Sequence, residues 1–289
     1  MTKSRPGRPK KLSQREERRV LADSRDNPFK TSAEIASDMN ESLEDKTISS
    51  SYVRKLLFKN GSKAFVAKKK PFLTERMRKK RLEWCRKYQG MPDGFWRKIV
   101  WSDESMIHIN FGQVGRFVRR ASWQNPFQPH FLRQTVKHPL KIMFWGCFTG
   151  SKIGRLHICE GIMNTEKYIE VLQKRLVPYI DELNNDVIYQ QDGAPCHTSK
   201  NSLKWIREHN IEVLEWPGNS PDLNPIENLW QVVKSKVAKL HPRTKPELIA
   251  AVLKVWYHQI PQSLLEKLSL SMPRRIQAVI DNKGNPTKY

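Results

Sequence analysis

The sequence predicts an α/β domain, a mixed sheet with helices on both faces, preceded by a small all-α domain. Two observations lead to this expectation. Residues 13–62 contain three short helical patterns, each starting after a serine that can cap it. From Phe95 onwards, apolar runs typical of strands come first and then alternate with amphipathic helices, which is the order expected of a mixed sheet covered by helices.

The three N-terminal helices are expected to have Ser13, Ser32 and Ser49 as caps. Their small core would consist of Ile35, Met39, Ile48, Val53, Leu56 and Leu57. The second and third helices then form a helix-turn-helix, with the third helix in the major groove of DNA. Its outward positions would be Ser50, Ser51, Arg54 and Lys55. The alternative is a helical bundle with a solvated charged face.

Basic residues are concentrated near the N-terminal end. The chain has 52 Lys and Arg against 29 Asp and Glu, a net charge of +23, and its first 81 residues carry 23 against 10. This excess predicts a polyanionic partner, nucleic acid above all. Residues 4–11, SRPGRPKK, are expected to lie in an A·T-rich minor groove, with a solvated tail or an import signal as the alternative. The predicted contacts are Arg5, Arg8, Lys10 and Lys11.

Composition predicts four segments: a basic tail over 1–12, a helix-turn-helix domain over 13–62, a basic linker over 63–94 and the α/β domain over 95–289. The linker should contain a helix over about 74–88. Its cations are expected to be free for phosphate contacts: Arg76, Lys79, Lys80 and Arg81. Without a membrane-length apolar run, and with four dispersed cysteines that signal neither zinc nor disulfides, the chain is expected to be soluble and intracellular.

In the α/β domain, a meander of three strands is expected at 95–109, 115–121 and 141–150, with a short fourth strand within 153–161. A helix over 164–183, capped by Asn164, should follow. The remaining elements would be a strand at 186–192, a helix at 198–209, a strand at 211–217 and a helix at 224–240, before helical segments that close the chain.

Three carboxylates stand where such a sheet can bring them together, at Asp103, Asp192 and Glu227. Asp103 is expected to leave the core face as its strand frays, and Asp192 ends its strand before a turn at Gly193. Carboxylate oxygens suit Mg²⁺, and two such ions about 4 Å apart activate the attacking oxygen and stabilise the leaving oxygen in phosphoryl transfer. A basic surface would bring DNA to this acidic island.

Each acid also has an ordinary structural interpretation. Aspartate before glycine is a common turn residue, and residues 224–227, Asn-Pro-Ile-Glu, fit a capping box. Glu104 and Asp222 are neighbouring competitors for metal binding. His197 is expected to cap or pack rather than to act as an acid or base.

Six motifs, several of them long, occur in one order: GRPKK, WSDES, VKHPLKIMFWGCFT, QQDGAPCHTS, WPGNSPDLNPIENLW and the tail SMPRRIQAVIDNKGNPTKY. Together they resemble the Tc/mariner superfamily of DNA transposases, in its Tc-one-like branch. The resemblance implies an RNase H-like catalytic domain over 95–289 with a catalytic, metal-binding triad of Asp103, Asp192 and Glu227. It implies cleavage at transposon ends with two Mg²⁺ ions, which Mn²⁺ can replace, and strand transfer into TA target sites. It also implies a nuclear homo-oligomer on terminal inverted repeats.

Two departures from the family pattern lead to further expectations. Relatives usually carry another helix-turn-helix before the Gly-Arg-Pro motif, so the first of two is expected to be lacking. Ser50 and Ser51 stand where relatives often have basic residues, which would remove phosphate contacts. The alternative functions are a catalytically silent or host-recruited DNA-binding protein derived from a transposase, and a general metal nuclease without end preference.

Overall fold

The computed structural model describes residues 11–43, 46–67, 70–109, 119–128, 131, 140–184 and 186–289. They belong to two units, residues 1–69 and 70–289. The predicted tail contacts Arg5, Arg8 and Lys10 lie outside the described residues, and so does most of the strand predicted at 115–121. The domain limits drawn from composition stay a prediction.

Three helices are described in the N-terminal unit, α1 (Gln14–Asp26), α2 (Ser32–Asn40) and α3 (Ser50–Lys59). Ser13 and Ser49 cap the first and third helices as predicted. The cap predicted for α2 is wrong by one residue. Thr31 caps it, because its hydroxyl accepts from the Glu34 N–H while the Glu34 carboxylate accepts from the Thr31 N–H.

A single small core joins these helices, and it contains the predicted apolar side chains. The buried members are Leu12, Val20, Ile35, Ala36, Met39, Ile48, Val53 and Leu56, with Leu57 half-buried beside them. Asn40 fixes the connection to α3, since its side chain exchanges hydrogen bonds of 3.0 and 2.8 Å with the backbone of Ile48. On α3, Ser51, Arg54 and Lys55 are exposed, and Ser50 is half-buried.

In its described residues, the second unit has a four-stranded mixed sheet with helices on both faces. Its strands are β1 (Ile99–His108), β2 (Lys141–Phe148), β3 (His157–Cys159) and β4 (Ile188–Gln190). Their order is β3-β2-β1-β4, and only β4 runs parallel to its neighbour. In the described part of the chain, no helix combines the length and the apolar composition that a bilayer span requires.

Nine helices are described around this sheet: α4 (Glu75–Tyr88), α5 (Asp93–Lys98), α6 (Thr165–Val171), α7 (Val177–Asp181), α8 (Lys200–Glu208), α9 (Ile226–Lys239), α10 (Lys245–His258), α11 (Gln262–Ser269) and α12 (Met272–Asp281). A π-helical turn, Leu172–Leu176, joins α6 to α7. Asn164 caps α6 as predicted.

Alternate side chains of β1 enter two different cores, as the period of a strand requires. Ile99, Trp101 and Ile107 pack with Trp230 of α9 and Trp256 of α10. Val100 packs on the other face, with the apolar residues of α6, α7 and α8. Neighbouring residues of β1 therefore point into different environments, and this decides where each of its acids can act.

Gly146 lets α9 and α10 approach the sheet closely beside Asp103. It pairs with Asp103 across β1 and β2. A Cβ atom at Gly146 would lie 2.7 Å from the Trp256 ring and 3.1 Å from that of Trp230, which is too close for any side chain. Only glycine therefore fits under these two tryptophans, and the first turn of α9 can reach the middle of β1.

Two predicted elements of this unit differ from the structure. Residues 95–98 form α5 instead of starting the first strand, because Pro92 can begin a helix and Trp96 is buried among Trp84, Tyr88 and Trp101. The strand expected at 211–217 is reduced to one bridge between Tyr189 and Val213. It is bounded by Asn210, in the left-handed region at φ 50°, and by Pro217.

The strand β1 does not fray at Asp103, because β2 pairs with it as far as His108. Arg81 is another correction. It is not free for phosphate but fully buried, and its guanidinium donates to both carboxylate oxygens of Asp222 at 2.8 Å and to the Gly284 carbonyl at 3.0 Å. The other predicted cations of α4 are not buried in this way: Arg76, Lys79 and Lys80.

Candidate active site

Asp103 and Asp192 are neighbours just beyond the end of β4. Trp101 of β1 lies opposite Gln190 of β4 in a parallel register, and continuing that register by two residues places Asp192 alongside Asp103. Ser102 ties the two segments together. Its hydroxyl donates to the Gln190 carbonyl at 2.8 Å, and its N–H donates to the Gln190 side chain at 3.2 Å.

Asn224 brings the start of α9 to the same point of β1. Its side-chain amide donates a buried hydrogen bond of 3.1 Å to the carbonyl of Ser102, the residue before Asp103. Glu227 is the second residue of α9. The capping-box interpretation of this acid is not supported, because the side-chain oxygen of Asn224 accepts from Ile226 and the Glu227 carboxylate makes no hydrogen bond among the described residues.

The pKa of the Asp103 carboxyl is affected by burial and by the neighbouring acids. Burial raises its pKa well above the usual value, and the negative charges of Glu227, Glu104 and Asp192 raise it further. One hydrogen bond, from the Glu104 N–H at 2.7 Å, opposes this effect only in part. The fold therefore holds these acids near one another against their mutual repulsion.

This donor set fits a divalent cation, which would neutralise carboxylates that now repel each other. Oxygen ligands of this kind select Mg²⁺ or Mn²⁺ over softer metals. Within the described ranges, no three His, Cys, Asp or Glu side chains lie close enough together to form a metal coordination sphere. Asp103, Asp192 and Glu227 are thus brought to the same region of β1, just beyond the end of β4, without surrounding a common centre.

His197 contacts the acids of this site, which the sequence did not indicate. It is buried, its Nδ1 lies 2.6 Å from Oδ1 of Asp192, and its Nε2 lies 3.4 Å from Oε1 of Glu104. Burial alone would lower the pKa of His197, but its contacts with the two carboxylates raise it to about 10. For Asp192, burial alone would raise the pKa. Hydrogen bonds from His197 and from the Ala194 N–H bring the pKa of Asp192 below its usual value instead.

The two competing acids have different positions. Asp222 lies away from the cluster and is committed to Arg81 and to Thr287, whose N–H and hydroxyl donate to it at 2.9 and 3.0 Å. Glu104 lies next to Asp103 in the chain, but its contact with His197 places it towards the opposite face of β1. A clue to His197 was available, since only a Gly-Ala-Pro-Cys turn separates it from Asp192.

Two family models match the chain. A helix-turn-helix model described as a transposase covers residues 17–90. A model described as a DDE superfamily endonuclease covers residues 98–249, which is more than half of the chain.

Curated proteins match along nearly the whole chain. The transposable element Tc1 transposase of Caenorhabditis elegans is 32% identical over 278 residues, which cover 94% of this chain and 100% of that protein. The Tcb2 transposase of Caenorhabditis briggsae is 34% identical over 276 residues, with the same coverage. The Tc3 transposase of Caenorhabditis elegans is 32% identical over 295 residues, covering 100% of this chain and 85% of that protein.

Solved structures match at lower identity. The Mos1 transposase paired-end complex with left transposon end has a TM-score of 0.79 at 20% identity, and the mariner Mos1 paired end complex with Mg has 0.80 at 20%. Each match covers 100% of this chain and 83% of the other. At this identity the likeness shows the fold, and it confirms the predicted helix-turn-helix domain followed by a mixed-sheet α/β domain.

The expectation that the first helix-turn-helix is lacking is wrong. The transposase model begins at residue 17, and the match with the Tc1 transposase extends over all of that protein. The physical reason is that, within the described residues, α1, α2 and α3 form a three-helix unit with its own caps and core, which is what a helix-turn-helix domain needs to fold. A missing module therefore lends no support to the alternative of a catalytically silent DNA-binding protein.

Proposed function

The chain belongs to the DDE superfamily as a transposase of the Tc type, and on this premise we propose that Asp103, Asp192 and Glu227 hold the divalent ions with which it cuts DNA. The proposal rests above all on one observation. The parallel register of β1 with β4 sets Asp192 alongside Asp103, and the Asn224 amide holds the start of α9, which carries Glu227, against the Ser102 carbonyl.

Each acid has a role that follows from its position. Asp103 and Asp192, side by side on neighbouring segments, would share the ions, and Glu227 on α9 would complete the second position and orient the attacking water or 3′-hydroxyl. When bound, two divalent ions would activate that oxygen and stabilise the leaving oxygen of the scissile phosphate. The Asn224 to Ser102 hydrogen bond anchors the start of α9 against β1, next to Asp103.

The substrate we propose is the DNA of transposon ends, followed by transfer of the freed 3′-hydroxyl into a TA target. Support comes from the relatives, which are transposases of transposable elements, and from Mos1 complexes that contain a left transposon end or Mg or Mn. The test is to incubate the purified protein with labelled end DNA, with Mg²⁺, Mn²⁺ or EDTA, and with Asp192→Ala as the control.

Cleavage at the end sequence only with a divalent ion, and none with Asp192→Ala, is the expected result. Cutting of unrelated DNA at equal rates would favour a general nuclease. Cutting by Asp192→Ala as fast as by the unchanged protein would remove the proposed site.

We propose that α3 enters the major groove of the terminal repeat, with Ser50, Ser51, Arg54 and Lys55 facing the DNA. Because the side chains of Arg54 and Lys55 are exposed, we expect Arg54→Gln and Lys55→Gln each to weaken binding and to reduce the dependence of log affinity on log salt by about one. Fluorescence anisotropy over a salt series measures this.

The matched control is Arg15→Gln, which removes the same charge from an exposed position on α1. If it weakens binding to the terminal repeat as much as Arg54→Gln does, the effect is one of net charge and α3 is not the recognition helix.

The basic tail and the cellular setting complete the proposal. Arg5, Arg8 and Lys10 would lie in the minor groove, next to Lys11, which reaches back to the Thr47 carbonyl at 3.4 Å. The protein would act in the nucleus as a homo-oligomer on paired ends. A fluorescent fusion excluded from the nucleus, or a DNA complex with the mass of one chain and one end, would contradict these points.

A further inference from the structure

Asp192 is held by only one of its two oxygens. The Nδ1 of His197 donates to Oδ1 at 2.6 Å, since a carboxylate can only accept, and the backbone N–H of Ala194 donates to the same oxygen at 2.9 Å. The other oxygen, Oδ2, receives no hydrogen bond from any residue that the structure describes. The protein thus fixes the rotation of this carboxylate and leaves one oxygen available to a ligand.

The imidazole that does this is itself held firmly. The ring of Tyr168 packs on that of His197 with centroids 4.0 Å apart. The Tyr168 hydroxyl donates to Oε1 of Gln191 at 2.5 Å, and the Gln191 amide donates to the His197 carbonyl at 3.4 Å. The His197 N–H donates to the Ala194 carbonyl at 2.9 Å, which closes the turn. Ring and backbone are therefore both constrained.

Glu104 stands at the far side of the same ring. Its Oε1 lies 3.4 Å from Nε2 of His197, and each of these buried atoms has no hydrogen bond with another described residue. Glu104 is half-buried, and a buried carboxylate oxygen that accepts no hydrogen bond is costly, so this placement needs a physical reason. A carboxylate facing one nitrogen of an imidazole fixes the orientation of the ring and the donor at its other nitrogen.

From this geometry we infer that Glu104 and His197 are positioning residues that turn the free oxygen of Asp192 towards the metal. The inference rests on the proposed metal-binding role of Asp192. It gives adjacent residues of β1 separate tasks on the two faces of the sheet. Asp103 is a ligand on one face, and Glu104 acts on the other face through His197.

The test uses full-length protein and measures Mn²⁺ binding directly, by isothermal titration calorimetry and by the electron paramagnetic resonance signal of free Mn²⁺. His197→Phe keeps a ring beside Tyr168 but removes the donor, so the affinity for Mn²⁺ should fall about 10–100-fold. His197→Asn places an amide donor near the position of Nδ1 and should recover much of that loss. Glu104→Gln should weaken Mn²⁺ binding in the same direction.

Tyr189→Phe is the matched structural control. It removes a hydroxyl that bonds with Ser102 and Tyr168 in the same buried cluster, yet it touches neither His197 nor Asp192. This variant should bind Mn²⁺ as the unchanged protein does. Thermal unfolding of every variant shows that the compared proteins are folded.

The outcomes separate this inference from the function on which it rests. If Asp192→Asn loses Mn²⁺ binding while His197→Phe and Glu104→Gln bind normally, the positioning role is overturned and the metal site stands. If Asp192→Asn itself binds Mn²⁺ normally, the proposed site fails. Equal losses in His197→Phe, His197→Asn and Tyr189→Phe would mean that the cluster only supports the fold.

Discussion

Asp103→Asn should abolish DNA cleavage and, in the same protein, raise the stability of the metal-free fold. Cleavage is expected to fall by at least about 10³-fold, which corresponds to about 4 kcal/mol of lost transition-state stabilisation. Stability should rise because asparagine carries no charge, so the repulsion from Glu227, Glu104 and Asp192 and the cost of burying a charge both disappear. If Asp103 served only to stabilise the fold, its replacement by asparagine would lower the stability of the metal-free protein.

The pH dependence of this gain follows from the raised pKa of Asp103. The folded protein binds the proton more tightly than the unfolded chain, so the wild-type protein loses stability as the pH rises from the unfolded pKa through the folded one. The variant does not titrate at this position. Its advantage should therefore be absent at pH values below the ordinary pKa of an aspartate side chain and complete above the raised pKa of the folded state.

With a divalent ion bound, the wild-type protein should become more stable than the Asp103→Asn variant. Mn²⁺ or Mg²⁺ bound only to the folded wild-type protein stabilises it in proportion to RT ln(1 + [M]/Kd), and the variant should gain much less. Urea unfolding at several pH values, with and without the ion, measures both effects. Glu75→Gln, an exposed acid of α4, is the control and should change neither cleavage nor stability. A destabilised, fully active Asp103→Asn would contradict the account.

The largest loss of stability is expected from Arg81→Met. Arg81 and Asp222 form a bidentate ion pair with side chains 1% and 4% exposed. Removing one partner leaves an unpaired buried charge, which costs about 3–5 kcal/mol. Asp222 also accepts from Thr287, so the C-terminal residues should loosen together with α4.

Urea unfolding measures the cost, and the double variant Arg81→Met with Asp222→Asn should recover part of it because the stranded charge is gone. Arg76→Met, an exposed arginine of the same helix, should change stability by less than about 0.5 kcal/mol. If the free energies of unfolding of Arg81→Met and Arg76→Met are equal, the buried pair does not stabilise the fold as its geometry indicates.

Local chemistry explains what the sequence could predict. Caps such as Ser13 and Asn164 act over three residues, and the apolar stripe that builds the N-terminal core repeats every turn, so both are visible in a short window. Where two local signals competed, the tertiary structure decided. Residues 95–98 alternate like a strand, but burying Trp96 among three aromatic rings favours a helix there.

The parts that the sequence could not predict depend on partners far along the chain. Arg81 looks like any cation of a basic helix until Asp222, 141 residues later, is brought against it. His197 looked like a capping or packing residue because its contact with Glu104 requires that acid to lie across β1 from Asp103. The three acids were suggested by element ends and assigned by the motif resemblance, whereas their mutual proximity depends on the register of β1 with β4 and on the Asn224 tether.

The central claim is that Asp103, Asp192 and Glu227 hold the catalytic ions, and anomalous diffraction from crystals of the full chain with end DNA and Mn²⁺ tests it most directly. The account predicts Mn²⁺ peaks within coordination distance of all three carboxylates, with Oδ2 of Asp192 as a ligand and Oδ1 still bonded to His197. Mn²⁺ bound elsewhere in crystals that cleave their DNA, with these acids unligated, would contradict it.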